Sequence, residues 1–84
     1  MSAVELLPSA AKQVSALDRS IQRRLARRIE QLAVEPRGGD AVKLRGADDI
    51  WRTRVAAYRL LYRIDDDALV VLVIRVGHRR EVYR

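Results

Sequence analysis

The spacing of hydrophobic residues changes near the middle of the chain. Apolar side chains recur every three or four positions from Leu17 to Leu32, as expected for one face of an amphipathic helix. From Ile50 onward, apolar and polar residues mostly alternate, which is typical of half-buried strands. The pattern therefore predicts mainly helices in the first half of the chain and strands in the second half.

The first half is expected to begin with a short strand and to continue as two helices. Val4 and Leu6 alternate with their neighbours until Pro8, which removes a backbone donor and suits the first turn of a helix. Asp18 is a suitable N-cap for a second helix. The apolar stripe of that helix comprises Leu17, Ile21, Leu25, Ile29 and Leu32. This pattern predicts a helical hairpin with one apolar side.

A loop and three strands follow the helices. Pro36 to Asp40 breaks the second helix, and residues 41–50 have no clean period, so we expect a connecting loop there. The expected strands are Ile50–Val55, Tyr58–Asp65 and Leu69–Val76, with a turn at Asp66 and Asp67. The last strand is apolar at consecutive positions, as expected for a central strand covered on both faces or nearly so. We predict one α+β domain over residues 1–84, with two helices on a three- or four-stranded, mainly antiparallel sheet.

The predicted hairpin around Ala56 and Ala57 carries four arginines. With a two-residue loop, alternation places one set of side chains against the helices: Trp51, Thr53, Val55, Tyr58, Leu60, Tyr62 and Ile64. The opposite face then carries Arg52, Arg54, Arg59 and Arg63. Arg54 would stand directly opposite Arg59, an unfavourable like-charge pair. This face is either solvated, with its repulsion screened, or binds an anion with several oxygens such as a phosphate.

The charge of the chain favours a polyanionic partner. The net charge is +6, and 15 of the 17 basic residues are arginines, whose guanidinium groups can bind phosphate in a bidentate manner. Genome base composition explains the preference for arginine equally well, so the sign of the charge is more informative. The chain has no cysteine, no recognisable export signal and no apolar run near the roughly 20 residues of a membrane helix. We therefore expect a cytoplasmic protein.

Several blocks in the second half occur in the order and spacing of a known toxin family. The blocks are KLRG at 43–46, WRTRV at 51–55, YRLLYRID at 58–65, LVVLVIRVGHR at 69–79 and EVYR at 81–84. In these blocks the chain resembles the RelE family of bacterial and archaeal toxins, within the wider RelE/ParE superfamily. The resemblance covers residues 36–84, whereas the helical hairpin agrees only in pattern. It implies a RelE-like fold, with an N-terminal helical hairpin packed on a small twisted sheet.

The resemblance also implies an activity and its partners. RelE-family toxins of type II toxin–antitoxin systems cleave mRNA in the ribosomal A site and so inhibit translation. In the implied reaction, the RNA 2′-hydroxyl attacks the adjacent phosphate, with no metal or other cofactor. The implied partners are a cognate antitoxin, either RelB-like or Phd/YefM-like, together with the ribosome and its mRNA. No membrane is involved, and DNA is contacted only through the antitoxin.

The family's site residues transfer to matching positions of this chain. The implied catalytic residues are Arg59, Arg79 and Tyr83, and the implied RNA-binding residues are Arg52, Arg54, Lys43 and Arg45. Some relatives have lysine at positions 52 and 54, but arginine stays protonated at physiological pH, so neither residue is expected to be the general base. Glu81 and His78 are candidates for that role, as are Tyr83 and ribosomal groups. His78 and Glu81 can equally be structural residues.

Two further interpretations stay open. The arginines on the outer face of the second helix are candidates for docking on ribosomal RNA, or form an ordinary solvated face: Arg23, Arg24, Arg27 and Arg28. The alternative functions are a ParE-like inhibitor of DNA gyrase and a non-catalytic relative that binds RNA or an antitoxin. The joint presence of Arg59, Arg79 and Tyr83 favours the nuclease, because a gyrase inhibitor needs no phosphate site.

Overall fold

The computed structural model describes residues 1–46 and 49–78, which form two helices on one face of a five-stranded sheet. The elements are β1 (Ala3–Leu6), α1 (Pro8–Ser15), α2 (Arg19–Val34), β2 (Val42–Lys43), β3 (Ile50–Val55), β4 (Tyr58–Asp65) and β5 (Val70–His78). The strand order is β1-β5-β4-β3-β2. All neighbouring strands are antiparallel except β1 and β5, which are parallel. The predicted α+β class is confirmed.

The sheet is larger than the sequence predicted. The stretch 41–50 is not only a loop, because Val42 pairs with Arg52 and Lys43 pairs with Trp51 to form β2. β1 also joins the sheet, beside β5, so the described residues form five strands and not three or four. Both pairings connect segments that are distant along the chain, and local periodicity carries no information about such partners.

Both helices begin close to the predicted residues. Pro8 lies in the first turn of α1. Asp18 is the N-cap residue of α2, but its side chain makes no hydrogen bond to the helix, so the expected capping contact does not form. Leu25 and Leu32 of α2 are fully buried. The amphipathic stripe therefore stabilises this helix chiefly through packing on the sheet.

The core lies between the helices and one face of the sheet. Its members are Ala10, Leu25, Leu32, Val55, Leu60, Tyr62, Val71, Val73 and Val76. Tyr62 is fully buried, and its hydroxyl donates to the carbonyl oxygen of Pro36 at 2.7 Å. Burial raises the pKa of Tyr62 to about 12. This hydrogen bond fastens the loop after α2 to the centre of the sheet.

β5 is fully covered on one face only. It runs from Val70 to His78, later than predicted at both ends, because Leu69 lies in the preceding turn with a φ of +54°. Val71 is fully buried under the helices, whereas Leu72 on the opposite face is only half-buried. The strand is central, as predicted, with β1 and β4 on its two sides, but its outer face is covered only in part. In that same part of the chain, no helix has both the length and the apolar character needed to cross a lipid bilayer.

Candidate functional site

The β3–β4 hairpin has the register that its two-residue loop predicts. Val55 pairs with Tyr58, and Arg54 pairs with Arg59. Ala56 permits the tight turn by adopting a φ of +54°, a conformation that costs free energy for any residue with a Cβ. The residues that close such a loop exchange backbone hydrogen bonds, so Arg54 and Arg59 form the next, non-hydrogen-bonded pair. Side chains approach most closely in pairs of that kind, and here both carry positive charge.

The arginines of the hairpin differ in exposure, although all lie on the outer face, the sheet face opposite the helices. Arg54 and Arg63 are exposed and Arg52 is half-buried, but Arg59 is only 7% exposed. On β5, Arg59 lies opposite Gly77, which has no side chain to compete for the space. A solvated face is therefore an adequate explanation for Arg54 and Arg63 but not for Arg59.

A β-bulge adds a further arginine to the same face. The pairing between β4 and β5 shifts by one residue after Leu61, so Ile74 is an extra residue and Arg75 lies opposite Leu61. In a regular strand, Arg75 would point towards the helices. Arg52 lies on the other side of Leu61, and the two flanking arginine stems explain why Leu61 is only 9% exposed. We call Arg52, Arg54, Arg59 and Arg75 the arginine cluster; the sequence did not predict Arg75 on this face.

The arginine cluster borders a shallow pocket that also contains one carboxylate. Arg52 and Arg54 line a shallow pocket of about 390 Å³ together with Asp40 and Val42. The Nε atom of Arg52 is buried and has no hydrogen-bond partner within residues 1–46 and 49–78. Buried N–H groups are nearly always paired, and phosphate oxygens are strong acceptors for guanidinium donors.

The basic surface continues from the sheet to α2. Arg54 lines a cleft of about 230 Å³ together with Arg24 and Arg27 of the helix. Arg23 is also exposed, in a neighbouring shallow pocket on α2. A single extended polyanion could therefore contact both the helix and the arginine cluster.

Arg28 does not belong to the exposed face of α2, so the prediction that it lies on the outer face with Arg23, Arg24 and Arg27 was wrong. Only 13% of its side chain is exposed. Its Nε donates to the hydroxyl oxygen of Thr53 at 2.9 Å, and its Nη2 donates to the carbonyl of Gly38 at 3.0 Å. Arg28 follows the buried Leu25 by three residues and precedes the buried Leu32 by four, so it lies on the face that packs against the sheet.

Other residues singled out from the sequence lie away from the arginine cluster. Lys43 pairs with Trp51, on the core-facing side of the sheet, and its Nζ lies 3.4 Å from a carboxylate oxygen of Asp49. Arg45 is exposed in the turn that follows β2. Trp51 packs against the core, as the sequence favoured, with the guanidinium of Arg37 at 5.5 Å from its ring.

Of the candidate site residues near the end of the chain, only His78 lies within the described residues. His78 packs edge-on against Tyr58, with ring centroids 5.8 Å apart. Tyr58 precedes Arg59 on the same strand, so His78 and Arg59 lie on opposite faces of the sheet. The remaining candidates lie outside the described residues: Arg79, Glu81 and Tyr83.

Comparison with known proteins supports the same family. A family model described as the ParE toxin of the type II toxin–antitoxin system parDE matches residues 4–83. A RelE-like toxin protein of Escherichia coli is 32% identical over 78 residues, which cover 90% of this chain and 81% of that protein. The mRNA interferase toxin RelE of Escherichia coli K12 is 35% identical over 78 residues, covering 88% of this chain and 81% of RelE. This chain belongs to the RelE family of toxins.

Solved structures of RelE proteins have the same fold as this member of the family. The isolated E. coli RelE toxin matches with a TM-score of 0.82 and 30% identity, over 99% of this chain and 92% of that one. RelE in the intact E. coli RelBE complex matches with a TM-score of 0.82 and 28% identity, over 93% of this chain and 96% of that one. An archaeal RelE–RelB complex from Pyrococcus horikoshii matches with a TM-score of 0.83, and its 24% identity shows the fold alone. The RelE-like fold is confirmed.

Proposed function

We propose that this RelE-family toxin is a ribosome-dependent endoribonuclease that cleaves mRNA in the A site. The observation that carries the proposal is the arginine cluster, in which three strands contribute guanidinium groups to one face and the buried Nε of Arg52 is unpaired among the described residues. A 35% identical relative named an mRNA interferase supports the same activity. The clustered positive charge is unfavourable by itself and becomes favourable around a phosphate.

The proposed reaction needs fixed positive charge. The 2′-oxygen of the RNA forms a bond to the adjacent phosphorus, and the bond from phosphorus to the 5′-oxygen breaks. The pentavalent transition state carries additional negative charge, which guanidinium donors stabilise without the participation of a metal or cofactor. Arg59 is the principal stabiliser in this scheme, because its burial reduces screening by water.

The remaining roles are assigned from the family resemblance. Arg79 would stabilise the leaving 5′-oxygen, and Tyr83 would orient a base or assist proton transfer. Glu81 or a ribosomal group is a better candidate for the general base than His78, which lies on the face opposite Arg59. Arg52 and Arg54 would bind the flanking phosphates.

The proposed partners follow from the basic surface. Arg23, Arg24 and Arg27 would dock on ribosomal RNA, in continuity with Arg54. A cognate antitoxin, RelB-like or Phd/YefM-like, would neutralise the toxin by covering the arginine cluster with acidic side chains. The E. coli RelE structure solved together with its antitoxin RelB supports an antitoxin partner.

Primer extension on mRNA in translating ribosomes tests the proposal. Wild-type protein should produce discrete cuts at A-site codons, and a 2′-deoxy nucleotide on the 5′ side of the scissile phosphate should abolish them. Arg79→Ala and Tyr83→Phe should each reduce cleavage and relieve growth arrest while the protein remains folded. Undiminished toxicity of both variants would contradict the assigned site.

The same preparations distinguish the alternative functions. Inhibition of gyrase supercoiling without mRNA cleavage would support a ParE-like toxin, in agreement with the description of the matching family model. Binding to RNA or antitoxin without either activity would indicate a relative that has lost catalysis.

A further inference from the structure

The outer edge of β3 has little strand pairing where the arginine cluster reaches it. β2 is only two residues long and pairs with Trp51 and Arg52. Farther along β3, the backbone N–H of Arg54 points away from β4, because Arg54 belongs to a non-hydrogen-bonded pair. That N–H donates to Oδ2 of Asp40 at 3.1 Å. The carboxylate of Asp40 thus takes the place of a strand partner at this point.

The second oxygen of Asp40 connects the same strand to the helix layer. Oδ1 accepts a hydrogen bond from the hydroxyl of Thr53, whose oxygen in turn accepts one from Nε of Arg28 at 2.9 Å. Nη2 of Arg28 also lies 3.7 Å from Oδ1 of Asp40. Thr53 is fully buried and points towards the helices, whereas its neighbours Arg52 and Arg54 point to the outer face. We call the connected residues Arg28, Thr53 and Asp40 the clamp.

The clamp also supplies negative charge beside the arginines. Burial by itself would raise the pKa of Asp40, but hydrogen bonds from Thr53 and Arg54 and the charges of Arg28 and Arg52 lower it below its ordinary 3.8. Asp40 is therefore ionised at neutral pH. It lines the same pocket as Arg52 and Arg54, so its charge offsets their repulsion before any RNA is bound.

We propose that the clamp positions Arg52 and Arg54 for the phosphates of the RNA during cleavage, an inference that rests on the proposed function. Asp40 and Thr53 are positioning residues, because they act through the backbone of β3 and not through contact with the reacting atoms. Loss of the clamp would release the N–H of Arg54 and leave the like charges free to separate. Since a misplacement of about 1 Å costs up to about 100-fold in rate, we expect a fall in kcat of roughly 10- to 100-fold.

Kinetics of clamp variants on ribosome-bound mRNA test this role. Asp40→Asn preserves the size of the side chain, but only one of its two terminal atoms is an oxygen, so it can accept one of the two hydrogen bonds and not both. Its kcat should fall. Its KM should stay unchanged or decrease, because the loss of one negative charge makes the net charge one unit more positive and RNA should bind at least as tightly. Thr53→Val should lower kcat similarly with KM unchanged, and Thr53→Ser, which retains the hydroxyl, should keep kcat within about threefold of wild type. The double variant Asp40→Asn/Thr53→Val should be little worse than either single variant, because both remove one connected unit.

Asp18→Asn is the matched control. It makes the same change in charge at an exposed N-cap whose side chain makes no hydrogen bond to its helix, so cleavage should not change. Hydrogen exchange gives a readout that does not depend on activity: in Asp40→Ala, which removes both acceptor oxygens, the amide of Arg54 should exchange at least about tenfold faster under native conditions.

The outcomes separate the clamp from the activity it serves. Wild-type kcat in Asp40→Asn would overturn the clamp and leave the proposed function intact. The activity of a variant could also fall only in proportion to its fraction of unfolded protein, with hydrogen exchange at Arg54 unchanged. That result would assign Asp40 a purely structural role and would also overturn the clamp proposal. If the wild-type protein does not cleave ribosome-bound mRNA, the proposed function and this inference fail together.

Discussion

The outer face of the sheet has two ends with opposite charge. At one end, the arginine cluster surrounds Leu61. At the other end, Arg63 lies in a groove of about 830 Å³ whose lining includes five carboxylates: Glu5, Asp49, Asp65, Asp66 and Asp67. Arg59 and Arg63 belong to the same strand and the same face, yet only Arg59 is buried among like charges. An arginine on a sheet is therefore a candidate for phosphate binding because of its neighbours, not because of its residue type.

Replacing each of these two arginines by methionine gives the largest expected difference. Methionine retains an unbranched apolar stem and removes the charge, so packing changes little. Arg59→Met should reduce the rate of mRNA cleavage roughly 100- to 1,000-fold, by analogy with the loss of one oxyanion-hole donor. Arg63→Met should leave cleavage close to the wild-type rate, because nearby carboxylates would compete with an RNA phosphate. Equal losses in the two variants would show that total charge, and not position, determines activity.

The continuation of the basic end onto α2 gives the second prediction. Arg24→Gln/Arg27→Gln should weaken ribosome binding about tenfold and reduce the slope of log K against log salt by about 2, since each lost phosphate contact removes slightly less than one unit. The same substitution at Arg63 should change neither quantity. A salt dependence identical to that of the wild type would indicate that the helix face is only solvated.

The loop between α2 and β2 is anchored near the centre of the sheet by Tyr62, which gives the third prediction. Tyr62→Phe removes the hydrogen bond to the part-buried carbonyl oxygen of Pro36 and should lower the free energy of unfolding by about 1 kcal/mol. Chemical denaturation at neutral pH measures this change. Cleavage per folded molecule should not change, because Tyr62 lies on the core-facing side of the sheet.

The titration of Tyr62 provides a check on the same contact. Its pKa in the folded protein is about 12, above the ordinary 10, so folding favours the neutral phenol. Its contribution to stability is fully present below pH 10 and is lost as the pH rises through 12. The phenylalanine variant should lack this part of the alkaline decline. If stability falls equally steeply with pH in the wild type and in Tyr62→Phe, the alkaline loss of stability comes from other groups.

The smallest effect is expected for the ion pair at the acidic end. Arg37 donates two hydrogen bonds to Asp66, at 3.0 and 2.8 Å, and the hydrogen bond from Arg37 lowers the pKa of Asp66 below 3.8. Both side chains are largely exposed, so solvent and salt screen the pair. Asp66→Asn should shift Tm by about a degree or less at physiological salt. A larger shift would mean that this pair fixes the loop after α2 to the turn before β5.

Much of the local structure was predictable because it depends on neighbours in the chain. The stripe of α2 and the register of the hairpin around Ala56 follow from periodicity and from a loop of only two residues. The same reasoning placed Arg54 opposite Arg59. The position of Arg28 was also accessible in principle, since its spacing from Leu25 and Leu32 puts it beside the buried stripe, but its charge suggested an exposed residue.

The rest depended on contacts between distant segments. No local pattern indicates that β1 pairs with β5, that a bulge at Ile74 turns Arg75 to the outer face, or that Asp40 meets Thr53. Each of these contacts is selected by the packing of the whole domain, because a strand edge or a buried polar group accepts whichever partner the fold brings to it. The sequence by itself determined the helices, the hairpin and its opposed arginines. Only the tertiary structure decided which arginines cluster on one face and which of these is buried, which one joins the clamp, and which one lies among carboxylates.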